Sequence, residues 1–102
     1  MARNPIWNKS TFVEWVNRHG DHVVLGDRYE NMASPYANFL ESQGVDIDWI
    51  SPDTVEYMDK QQRFRVKRTE DWLRRFFLRL ASDTSRHSGI KALTVKRMLA
   101  EV

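Results

Sequence analysis

Eleven basic residues crowd one 35-residue stretch: Arg63, Arg65, Lys67, Arg68, Arg74, Arg75, Arg79, Arg86, Lys91, Lys96 and Arg97. Lysine and arginine neutralise phosphates and release their counterions, so this density is the footprint expected of nucleic-acid contact. Most of the set is arginine, whose planar fork can hold a phosphate or a guanine edge through two parallel bonds. Residues 60–102 carry twelve Lys/Arg against four Asp/Glu, a charge of +8. Residues 1–59 carry four Lys/Arg against ten Asp/Glu, a charge of −6, and the chain as a whole is +2. A local pair such as Asp71–Arg75 at i,i+4 screens part of the excess. Four acids cannot pair twelve cations, so full neutralisation must draw on acids from the front half.

Other chemistries find weaker footing. His19-Gly20-Asp21-His22 has a metal-like spacing, but Gly20 breaks the helix that would align the two rings, and no third ligand stands nearby. Asp46, Asp48 and Asp53 lack the glycine and the terminal glutamate of a calcium loop. The serines have no recognisable base partner, and no glycine-rich phosphate loop is present. The sequence has no cysteine, which excludes disulfides, thiol catalysis and cysteine-ligated zinc. The expectation is a non-enzymatic protein with no metal and no cofactor. Trp7, Trp15, Trp49 and Trp72 read as core or interface anchors; an exposed one could stack a base.

Several elements can position these residues. Thr11 to Glu14 has capping-box spacing, and Phe12, Trp15 and Val16 follow at helical intervals until Gly20, predicting a helix over about 11–19. His22 to Leu25 is a short apolar patch, read as a packed connection or one more helical turn. Ser34 as cap and Pro35 in the first turn open a second helix that ends before Gly44. Val45 to Ile50 alternates apolar and acidic residues like a strand, but no second strand is evident to pair with it, so an extended connector is expected. Ser51, Pro52 and Asp53 then read as the start of a third helix containing Val55, Tyr57 and Met58. From Arg65 to Ser82 a long helix is expected. Its Trp72, Leu73, Phe76, Phe77 and Leu80 share one arc, flanked by a stripe of Arg68, Arg75 and Arg79. After a polar loop at 83–88, residues 93–99 form a short last helix with Lys96 and Arg97 exposed.

Two resemblances attach to these patterns. Gly89, Ile90, Val95 and Met98 are spaced as in a helix-turn-helix, which would make Lys91, Thr94, Lys96 and Arg97 the base-contact candidates. Ser85 and Thr84 depart from the residues that family prefers. A longer stretch, Tyr29-x3-Ala33-x2-Tyr36-x2-Phe39-Leu40, then Gly44 to Tyr57, then Trp72 to Leu80, resembles the core-binding domain of phage integrases, the tyrosine recombinases. That resemblance implies a SAM-like module of four or five helices that clamps DNA through basic helix faces. The recombinase catalytic domain has no counterpart in these 102 residues, so the resemblance implies DNA binding and not strand cleavage.

The combined expectation is an all-α fold, a compact bundle of four to five short helices forming a single domain over residues 1–102. Apolar runs such as Val23-Val24-Leu25 and Phe76-Phe77-Leu78 fall far short of the roughly 20 residues that cross a bilayer. Nor does Met1 to Pro5 lead into an apolar segment of the kind that directs secretion. A cytoplasmic address is expected. The expected partner is DNA, bound by Arg63, Arg65, Lys67, Arg68, Arg75, Arg79, Arg86, Lys91, Thr94, Lys96 and Arg97. The alternative is a phage or mobile-element adaptor or inhibitor that meets a protein, through its basic face or through its acidic front half.

Overall fold

Ser34 and Pro35 do what their chemistry predicts. In the computed structural model, which describes residues 7–83 and 88–102, the Ser34 hydroxyl accepts from the Ala37 amide at 3.3 Å and Pro35 takes the first helical position. This opens α2, Pro35–Ser42. Gly44, at φ +83°, ends it in the left-handed conformation that glycine adopts without strain. The first helix, α1, spans Lys9–Asn17 and starts at Asn8 rather than at Thr11.

Beyond these helices the all-α expectation fails. The described residues form an α+β fold in the order α1, β1 (Val24–Asp27), a 3-10 turn (Asn31–Ala33), α2, β2 (Asp46–Ile50), β3 (Thr54–Met58), β4 (Phe64–Arg68), α3 (Asp71–Ser82), β5 (Gly89–Lys91) and α4 (Ala92–Ala100). Strands β2, β3 and β4 make an antiparallel meander, while β1 pairs antiparallel with β5. The bundle of four to five helices is therefore replaced by four α-helices and two small sheets among the described residues.

Each error has a physical cause. Ser51 does cap, its hydroxyl accepting from the Thr54 amide at 3.1 Å, but the turn closes with Ser51 N–H on the Thr54 carbonyl at 2.9 Å. Serine at the first position and proline at the second suit a β-turn as well as a helix start. Thr54 to Met58 then runs as a strand, and it is the missing partner of Val45 to Ile50. The expected long helix from Arg65 begins only at Asp71, because Phe64-Arg-Val-Lys-Arg68 alternates with the two-residue period of a strand. The apolar patch at 22–25 enters β1 instead of a helical turn. Gly26 permits its position, since a Cβ there would lie 2.6 Å from the Ala33 carbonyl oxygen and the Pro35 nitrogen.

One hydrophobic core holds the fold together. Phe12 is its centre, with ring centroids of Trp15, Tyr36, Phe39, Trp72 and Phe76 within 5.1–6.2 Å. The predicted arc of α3, from Trp72 to Leu80, is buried against it, as are Val95, Met98 and Leu99 of α4. The meander contributes Ile50 and Val55 to this core. No helix among the described residues is long and apolar enough to cross a membrane.

Candidate nucleic-acid interface

The hairpin joining β3 to β4 is built around one carboxylate. Asp59 accepts from the amides of Gln61 (2.9 Å) and Arg63 (3.0 Å), and its second oxygen takes Nε of Arg63 (3.2 Å) and Nε of Arg65 (3.0 Å). The Arg63 amide, the Arg65 side chain, the Gln61 amide and the Arg63 charge together hold this carboxyl down to about 2, against a weaker opposing effect of desolvation. Gln62 closes the turn at φ 62°, a conformation that costs a non-glycine residue energy.

From 59 to 68, Asp59 is the lone acid against Lys60, Arg63, Arg65, Lys67 and Arg68. All five basic side chains lie on the hairpin tip or on β4, an outer strand of the meander whose far edge pairs with no other strand among the described residues. Strand alternation sorts them. Arg65 and Lys67 stand opposite Tyr57 and Val55 on the core side, and Lys67 Nζ sits 5.3 Å over the ring of Trp7. Arg68 stands opposite Thr54 on the other side.

That other side mixes apolar and charged residues and is open. Across the meander, Trp49, Glu56 and Val66 form one row, and Asp46, Met58 and Phe64 form the next. A bulge between Ile47 and Trp49 lets Asp46 and Trp49 face the same way. Trp49 is 50 %, Phe64 52 % and Val66 57 % exposed. Trp49 is thus the exposed one of the four tryptophans, whereas Trp72 is buried and Trp7 and Trp15 pack against the core.

The helical cations sit differently. Arg75 pairs with Asp71 at 3.1 Å, Arg79 with Glu101 at 2.7 Å and Arg74 with Asp53 at 3.5 Å. Lys96 reaches Asp21 at 2.7 Å and the His19 carbonyl at 3.5 Å. The Lys96 bond and charge hold the Asp21 carboxyl below the usual carboxylate range. Arg68 belongs to a strand and Arg75 and Arg79 to a helix, so the predicted three-residue stripe on one helix does not form. Arg97 and Lys91 are exposed and Thr94 is half-buried on α4. Arg86 lies outside the described residues. Gly89, the turn residue of the helix-turn-helix resemblance, is paired with Asp27 in the β1–β5 ladder.

The front half thus does supply acids to the back half, through Asp21, Asp53 and Asp59. The reverse also occurs: the buried Arg28 pairs with Asp83 and donates to the Gly89 carbonyl at 3.4 Å. His19 uses Nδ1 on the Trp15 carbonyl at 2.7 Å and packs its ring against Trp15. Among the described residues no three His, Asp or Glu side chains gather as a metal site. Compared with protein-family models, curated proteins and solved structures, the chain matches none.

Sequence reasoning missed Lys60, Trp49 and Phe64 as members of this surface. The signal for β4 lies in the two-residue alternation from Phe64 to Arg68, which runs directly into the helical pattern of α3.

Proposed function

We propose that this chain binds DNA without catalysis, through the β3–β4 hairpin rather than through a helix face. The observation that carries the reading is the run of Lys60, Arg63, Arg65, Lys67 and Arg68 over the hairpin tip and the outer strand, with Asp59 the lone acid among residues 59–68. Exposed ion pairs are worth only about 0–1 kcal/mol, so a phosphate displaces Arg63 and Arg65 from Asp59 at little cost. Arg75, Arg79 and Lys96 each have an acid of their own and add less net positive field. The reading does not rest on the integrase resemblance, whose expected helix after Ser51 is strand β3.

Anisotropy titration of a labelled duplex tests it. Four to five neutralised phosphates give a slope of log affinity against log salt of about −4, hence a loss of about 200-fold between ~50 and ~200 mM salt. No binding at the lower salt refutes the reading. A stoichiometric protein partner recovered without nucleic acid would favour the adaptor alternative.

A further inference from the structure

We infer that the outer face of the meander, Trp49, Met58, Phe64 and Val66, is a stacking platform for unpaired nucleotides, so that the ligand of the basic hairpin is single-stranded nucleic acid. This rests on the hairpin reading above and narrows it. Two aromatic rings and two aliphatic side chains stand on one side of a three-stranded sheet, with Trp49, Phe64 and Val66 each at least half exposed. Base faces stack on such rings whatever their sequence, but only where the bases are not already stacked in a duplex.

The charges say how the strand lies. On the face itself Arg68 is set against Asp46 and Glu56, so the sheet surface does not attract phosphates by itself. The positive charge runs along the β4 rim, through Lys60, Arg63, Arg65 and Lys67. Phosphates follow that rim and the bases turn inward over Phe64, Val66 and Trp49. Glu56, in one row with Trp49 and Val66, then meets base edges rather than phosphates, and a carboxylate accepts from base N–H groups. A second copy of the chain is a poorer occupant. Symmetric β4-to-β4 contact would set five cations against five.

The test uses the full chain and three labelled probes of about 12 nucleotides, oligothymidine, oligouridine and a DNA duplex, within the length a small single-stranded site engages. Both single strands should bind roughly 10-fold or more tighter than the duplex, and any difference between them reports the sugar. Trp49→Ala and Phe64→Ala should each weaken single-strand binding about 10-fold, a clearly larger loss than either causes for the duplex. Trp49→Phe, which keeps a ring, should retain most of the affinity. Single-strand addition should quench part of the tryptophan emission of the unmodified chain, and Trp49→Phe should lack that part. This readout holds even if the alanine variant folds poorly. Equal binding of duplex and single strands, with neither alanine variant altering it, overturns the platform and leaves the hairpin reading standing. No binding of any probe overturns both. A dimer in sedimentation that Trp49→Ala dissociates would assign the face to a second copy and overturn the inference.

Discussion

The chain carries its cations in two settings, and they differ in what the neighbouring acids do. On α3 and α4, Arg74, Arg75, Arg79 and Lys96 each meet a separate carboxylate, from Asp53, Asp71, Glu101 and Asp21, and Arg97 alone has none within ion-pair reach among the described residues. On the β3–β4 hairpin, one carboxylate serves Arg63 and Arg65 together, and Lys60 and Arg68 have no carboxylate within ion-pair reach among the described residues. Charge counted along the sequence is therefore a poor guide to charge available to a ligand. The helices also bury a continuous aromatic face, whereas the hairpin leaves aromatic side chains in the open. The helical side reads as the part that holds the fold, and the hairpin as the part free to meet something else.

Phenylalanine offers the sharpest contrast. Phe76 is fully buried and touches Phe12 at a centroid distance of 5.6 Å, so Phe76→Ala should cost about 3–5 kcal/mol by transfer and cavity formation. Against a total stability of about 5–15 kcal/mol, that loss should be plain in a urea titration. Phe64→Ala, on the open side of the sheet, should cost under about 1 kcal/mol. Equal losses at the two sites would erase the distinction drawn between the regions.

Charge reversal comes next in size. Changing Arg63, Arg65 and Arg68 together to Glu should lower DNA affinity about 100-fold or more and flatten the salt slope by about one unit per lost contact. Arg75→Glu with Arg79→Glu should change it by less than about 5-fold, because rim charges already paired act weakly. If the helix pair proves the more damaging, the interface belongs to α3 instead.

Asp59→Asn should move binding the other way. Asparagine still accepts from the Gln61 and Arg63 amides but no longer holds the two guanidinium groups, so affinity should rise a few-fold, about what one removed like charge at the rim produces. The carboxyl also titrates in a distinctive window. Its folded value lies near 2 and below its unfolded one, so its contribution is present above the ordinary carboxylate range and is lost as pH falls toward 2. Carboxyl carbon shifts followed by NMR should show Asp59 ionising near 2, below the ordinary carboxylate range. A normal midpoint would contradict the four hydrogen bonds assigned to it.

Gln62→Gly is the smallest change, expected to stabilise the hairpin by at most about 1 kcal/mol, since glycine removes the left-handed cost but adds chain entropy. A thermal melt of the variant measures it.

Much of the helical half was legible in the sequence. The 3.6-residue arc from Trp72 to Leu80, the Ser34–Pro35 start and the Gly44 stop all act through contacts a few residues long, and local contacts are what periodicity and capping report. The sheet was not legible, for a reason that can be named at Ser51. Its hydroxyl and the following proline satisfy a helix start and a β-turn alike, and only the pairing of β2 with β3 chooses between them. Without that pairing Thr54 to Met58 suits a helix, and Val45 to Ile50 is left without a strand partner.

By itself, then, the sequence determined the composition of the site and the helical core: a cation-rich second half, no cysteine chemistry, and an aromatic face that had to be buried. Tertiary structure decided where the cations stand. It brought acids from the front half to Arg74 and Lys96, moved Arg68 from a helix to a strand, and left Trp49, Phe64 and Val66 exposed on one face of the meander. Those outcomes depend on which segments meet across 10 to 80 residues of chain, and a strand's partner and an ion's counter-ion are properties of that meeting rather than of any local run of residues.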